Sequence, residues 1–257
     1  MTTTISPEAL TDLLFRLADD ELMVGHRNSE WTGVAPIIEE DIAFSSMAQD
    51  EMGHSQAYYT ILHEKLGKDG PDKLAFLRDP KEFRSALLAE MKRTDWAHAL
   101  MRQFLYDTAE HVRVEAYKEH PFESLAQVAR KISGEEKYHL MHAQMWVTKL
   151  GNATDESRQK LQVALDKLWP YALGLFETPQ HEQPAPFDEN TLRQQWLDFV
   201  CPLLQSANLK PTAQENDGQW RTTVDAITGR YGEPSEDRID LLNAMQQVYR
   251  IDPEAEW

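Results

Sequence analysis

The chain has 257 residues, 41% hydrophobic and 27% charged, enough for one substantial core or a main domain with a small appendage. A formal charge of -17 argues against nucleic acid and anionic membrane as partners, because those surfaces would repel it. The single Cys201 excludes a disulfide framework or a thiolate metal cluster within the chain, so any metal must rest on carboxylates and imidazoles.

Ser6-Pro7-Glu8 reads as a helix cap, a first-turn proline and an acidic first turn. The helix that follows carries Leu10, Leu13, Leu17, Glu21 and Val24 on one stripe, with Glu21 where a leucine belongs. It ends before Trp31-Thr32-Gly33. A second helix is predicted from about Pro36 to Leu66, closed by Gly67. On it Glu40, Phe44, Met47, Glu51, His54, Tyr58 and Ile61 alternate in steps of four and three, so a carboxylate and an imidazole interrupt a core face.

Residues 67–94 read as a long crossover, with a short helix starting at Asp79-Pro80. A third long helix is predicted from Asp95 to Glu119, with Gln103, Tyr106, Glu110, Val114 and Tyr117 on one face, stopped by His120-Pro121. A fourth runs from Phe122 to Leu150 and ends at Gly151-Asn152. Its stripe is Leu125, Val128, Ile132, Glu136, His139, Ala143, Trp146 and Leu150. A fifth helix follows through Leu161, Leu165 and Trp169. The proline-rich stretch 177–188 reads as a surface linker, Asp188 caps a helix through Leu192 and Trp196, and a last helix spans about Pro234 to Tyr249. No β-alternation is long enough for a sheet, so the expected fold is all-α. The expected division is a helical bundle over 1–176 and a C-terminal helical extension over 177–257. No apolar run approaches the roughly 20 residues of a membrane span, and Met1-Thr2-Thr3-Thr4-Ile5 carries no basic leader, which predicts a cytoplasmic protein.

A Glu and a His three apart on a helix can grip one ion from the same side. One such pair arises by chance in a chain with nine histidines, but this chain has two, Glu51/His54 and Glu136/His139, each on an apolar stripe. In a hairpin, residues equally far from the turn stand at equal height. Glu21 and Glu51 are each fifteen residues from Pro36, which puts both about 22 Å up the first hairpin. Glu110 and Glu136 are each thirteen from Glu123, about 20 Å up the second. Glu115, little more than a turn from Glu110, is the alternative to it. Two hairpins of one plan, joined by a long crossover, predict a ferritin-like four-helix bundle with Glu21, Glu51, His54, Glu110, Glu136 and His139 as ligands of two metal ions. Two divalent cations would give four core carboxylates a reason to be there. Asp50, Asp107 and Glu135 read equally as partners that orient the histidines or as ordinary surface acids.

Several short stretches then carry a resemblance: Ser29-Glu30-Trp31, Leu74-Ala75-Phe76-Leu77-Arg78-Asp79, Arg102-Gln103-Phe104 with Asp107, and Tyr138-His139-Leu140. Leu150-Gly151-Asn152 with Thr154, Lys167-Leu168-Trp169, Thr191-Leu192-Arg193 with Trp196, and Trp257 continue it along the chain. In this order they resemble the ferritin-like subunits of bacterial phenylacetyl-CoA 1,2-epoxidase, most closely the PaaC-type subunit. The resemblance implies a di-iron centre using O₂ to epoxidise the ring of a CoA thioester, with electrons from a separate flavin and iron-sulfur reductase. It also implies a homologous PaaA-type oxygenase subunit and a small accessory subunit as partners. The PaaC-type subunit is generally regarded as structural, yet this chain keeps Glu or His at all six derived positions, as the PaaA-type does. The competing readings are a non-catalytic subunit that stabilises and docks a catalytic one, and another di-metal ferritin-like enzyme such as a manganese catalase or a manganese/iron oxidase.

Overall fold

The computed structural model describes residues 6–181 and 186–255. Met1 to Ile5, residues 182–185 of the proline-rich stretch, Glu256 and the terminal Trp257 lie outside them. The described chain is all-α and of the ferritin-like class, with 69% of it helical. Its contacts divide it into two compact units, one holding Arg93–Thr228 and the other the residues up to Lys92 together with those from Gly229 onward.

In the N-terminal unit, α1 (Pro7–Ser29) and α2 (Ile38–Leu66) form a hairpin. Ser6 caps α1 by accepting from the Ala9 amide at 3.1 Å, as its sequence requires. Gly67, in the left-handed conformation at φ 68°, ends α2. All seven residues of the α2 stripe are buried, and Leu14 and Leu17 of α1 are buried beside Glu21. Each such leucine contributes about 1.5–3 kcal/mol of stabilisation.

The crossover holds two short helices, α3 (Pro71–Phe76) and α4 (Leu87–Glu90), and a 3-10 turn at Pro80–Glu82 closed by a reciprocal Asp79/Glu82 cap. Short helices leave many backbone carbonyls unsatisfied, and the C-terminal helix α9 (Glu236–Gln246) meets them with side-chain donors. Arg238 donates to the carbonyls of Phe83 and Ser85 at 3.3 and 3.0 Å, and Gln246 to those of Ala75 and Arg78 at 3.3 and 3.1 Å. The end of the chain thereby braces a segment more than 150 residues earlier.

In the other unit, α5 (Trp96–Tyr117) and α6 (Glu123–Ala153) form the second hairpin, and α7 (Asp155–Leu173) and α8 (Glu189–Ser206) pack with it. Trp196 of α8 donates its indole N–H to the Thr108 hydroxyl of α5 at 3.0 Å and stacks on Trp169 of α7 with centroids 5.1 Å apart. Residues Ala99 to Glu110 of α5 are all buried, with α6, α7 and α8 packed against the helix.

Two local expectations are corrected. Helix α6 does not stop at Leu150 but runs through Gly151 and Asn152 to Ala153. A Cβ on Gly151 would sit 2.1 Å from the Ala207 carbonyl oxygen, so this glycine admits a close backbone approach rather than ending a helix. A two-stranded hairpin also exists, β1 (Ala213–Asn216) paired antiparallel with β2 (Gln219–Thr222). Asp217 and Gly218 both have positive φ, 53° and 78°, as a two-residue primed turn demands. Each strand is only four residues, too short for alternation to show.

Candidate metal centre

On the first hairpin, α1 presents Glu21 and α2 presents Glu51 and His54, none more than 2% exposed. His54 Nδ1 lies 3.7 Å from a Glu21 carboxylate oxygen and 3.5 Å from one of Glu51. One ligand atom from each of the three falls within 4.8 Å of the others, so a single cation could be gripped by all. Gly25, one turn beyond Glu21, makes this closeness possible. A Cβ there would meet the Ala48 carbonyl at 3.1 Å and the Glu51 Cβ at 3.2 Å.

Glu21 is the third of three successive buried acids, and the first two are held from elsewhere. Asp20 is bridged by Arg230, with Nη2 to Oδ2 at 2.6 Å and Nη1 to Oδ1 at 2.9 Å, and accepts the Ala86 amide at 2.7 Å. Asp19 is held by Arg78, by the Tyr59 hydroxyl and by the Arg84 amide at 2.6 Å. Burial, with Asp19 beside it, pushes the Tyr59 phenol well above its usual value, so it stays a donor. Both neighbours of Glu21 are thus matched to guanidinium groups, and the rotation of α1 about its axis is fixed.

On the second hairpin, α5 presents Glu110 and α6 presents Glu136 and His139, all buried. His139 Nδ1 lies 3.5 Å from Glu136 Oε1, the same spacing as on α2. Glu110 differs from Glu21. Its Oε1 accepts from Arg113 Nη1 at 2.7 Å, and Arg113, 2% exposed, also donates to the Leu175 carbonyl and lies over the Phe176 ring at 5.1 Å. Glu115, the alternative on this helix, is exposed and paired with Lys118. Asp107 is buried and accepts from Gln103 Nε2 at 2.6 Å, which accounts for both residues in one stretch of the resemblance.

The sequence reading missed Asp19, Asp20 and Arg113. Asp19-Asp20-Glu21 is visible as a run of acids, but the arginines that hold the first two lie 59 and 210 residues away. Arg113 stands only three residues after Glu110, and that spacing is a signal local enough to be read.

The donor set fits hard divalent cations: buried carboxylates with one imidazole per hairpin, and no thiolate. Fold and site together define the class, an all-α ferritin-like protein whose long helices carry buried Glu and Glu-x-x-His residues. The family described as phenylacetic acid catabolic protein matches residues 1–257, and the chain belongs to it. The chain is 30% identical over 253 residues, 96% of its length and 99% of the relative's, to the C component of the 1,2-phenylacetyl-CoA epoxidase of Escherichia coli strain K12. No helix among the described residues is long and apolar enough to cross a membrane.

Proposed function

We propose that this chain is a metal-binding component of a multisubunit phenylacetyl-CoA ring 1,2-epoxidase of aerobic phenylacetate catabolism. The observation that carries the reading is the buried Glu21, Glu51 and His54 group in a chain that matches the family from end to end. Glu21, Glu51 and His54 from the first hairpin and Glu110, Glu136 and His139 from the second would hold a carboxylate-bridged pair of iron ions. When bound, that pair would supply O₂ activation and oxygen transfer to the aromatic ring of a CoA thioester.

The chain's own residues do the rest. Glu21, Glu51, Glu110 and Glu136 would offer hard oxygen donors to such a pair, and His54 and His139 one nitrogen donor from each hairpin. Burial of all six side chains excludes bulk water and strengthens every electrostatic interaction among them. Arg78 and Arg230 neutralise Asp19 and Asp20, so these two acids are already matched to cations of the chain itself.

The partners in this reading are a homologous ferritin-like oxygenase subunit, a small accessory subunit and a flavin and iron-sulfur reductase, working in the cytoplasm on an aryl-CoA. The test is reconstitution of the chain with those subunits and phenylacetyl-CoA. Substrate-dependent O₂ uptake that is lost with Glu51→Ala supports the reading. Uptake unchanged by Glu51→Ala would leave the chain without a catalytic metal.

A further inference from the structure

In a chain with 43 acidic residues against 26 basic ones, an arginine without an acidic neighbour is unusual. Ten arginines pair with a carboxylate: Arg16, Arg27, Arg78, Arg84, Arg113, Arg130, Arg158, Arg230, Arg238 and Arg250. Arg193 and Arg221 have no carboxylate ion pair among the described residues. Arg193 makes a single side-chain bond, to Asn190 one turn earlier on α8 at 3.2 Å. Both line one cavity of about 340 Å³ between α8, β2 and the segment after it.

We propose that this cavity binds a phosphate group of an organic ligand. Two guanidinium forks suit the bidentate recognition of a phosphate, and each has donors left for it. Asp225 is the one carboxylate that lines the cavity, so two cations face one anion on a molecule whose net charge is -17. Such a local reversal of sign focuses an anion where the rest of the surface repels it. Leu173, Leu197 and Val224 on the same walls offer apolar contact to the part that carries the phosphate. The volume lies at the small end of ligand pockets, sized for one end of a larger molecule. The inference stands on the arginines alone and does not need the metal reading. If the epoxidase reading holds, the phosphorylated end of coenzyme A is one source of such a group.

The test is titration calorimetry on the full chain at low salt, with pyrophosphate, adenosine 3′,5′-bisphosphate and coenzyme A as separate ligands. It is run on the wild type, Arg193→Met and Arg221→Met. Saturable binding that weakens at least about fivefold in Arg221→Met, an exposed position whose loss the fold tolerates, supports the site. Arg193→Met should weaken it as much. Tighter binding of the nucleotides than of pyrophosphate assigns an organic phosphate, and coenzyme A tighter than the bisphosphate assigns the thioester carrier. No binding of any ligand, a loss under about fivefold in Arg221→Met, or pyrophosphate bound as tightly as the nucleotides would overturn the proposal.

Discussion

The two hairpins carry the same three ligand types at the same helical spacings, yet their electrostatic surroundings differ. On α1, guanidinium groups come from distant parts of the chain and take the two residues before Glu21, whose carboxylate lies 3.7 Å from His54. On α5, the guanidinium comes from three residues away and takes the ligand-type carboxylate itself. A cation proposed to bind at Glu21 would meet its carboxylate beside the His54 imidazole. One binding at Glu110 must compete with Arg113, whose charge is fixed at any ordinary pH. Arg113 is thus an internal counterion on the second hairpin that a cation proposed to bind at Glu110 would have to displace.

The largest effect should come from the ligands. Glu51→Ala and Glu136→Ala should each abolish binding of two metals while far-ultraviolet circular dichroism keeps its helical signal. Retention of two metals per chain by both variants would remove the ligand assignment.

The arginines sharpen the contrast. Arg113→Met and Arg230→Met should each lower the stability of the metal-free protein by about 3–5 kcal/mol, because each leaves a buried carboxylate without its partner. Added divalent cation should then raise the melting temperature of Arg113→Met by more than that of the wild type, since Glu110 gains a cation where it lost one. Arg230→Met should gain no such excess, because Asp20 is not a ligand. Equal metal-induced shifts in the two variants would break the comparison.

A smaller effect is set by pH. Burial pushes His120, in the turn of the second hairpin, down to about 4 from 6.5, and burial, with Arg27 beside it, does the same to His26 on α1. The unfolded chain takes up these protons before the folded one does. Stability is therefore full above pH 6.5 and falls between 6.5 and 4, on the order of 1–3 kcal/mol for each histidine. Denaturant melts of His120→Gln across this window should show a shallower fall than the wild type. An identical slope would mean that His120 is not held neutral by the fold.

The smallest pair has opposite signs. Gly25→Ala should destabilise by about 1–3 kcal/mol, since its Cβ presses on the Ala48 carbonyl and the Glu51 side chain. Gly134→Ala on α6 meets nothing within 4 Å and should stabilise by about 0.5–1 kcal/mol through helix propensity. Thermal melts distinguish them.

Period-3.6 patterning made the long helices, their caps and the α2 stripe legible in the sequence, because each depends on residues within a few turns of one another. The stripe of α6 was read less well. Its buried face continues from His139 through Leu140, Ala143 and Val147 rather than through Trp146 and Leu150, which are only partly buried. Packing against α7 and α8 decides that face, and no local rule contains it. Gly151 looked like a stop because its real neighbour, Ala207, is remote in sequence. The Asp217-Gly218 turn was readable and was passed over because its strands are short. The pairing of Asp20 with Arg230 was beyond reach, since nothing local distinguishes one arginine of fourteen as the partner of an acid 210 residues away.

The most direct test of the account is elemental analysis of the chain after anaerobic addition of ferrous iron in steps, with the wild type compared against Glu51→Ala. About two irons per wild-type chain, a content that Glu51→Ala loses, is the result expected of a ferritin-like di-iron ligand set. No iron retained by the wild type, or equal retention by the variant, would contradict it.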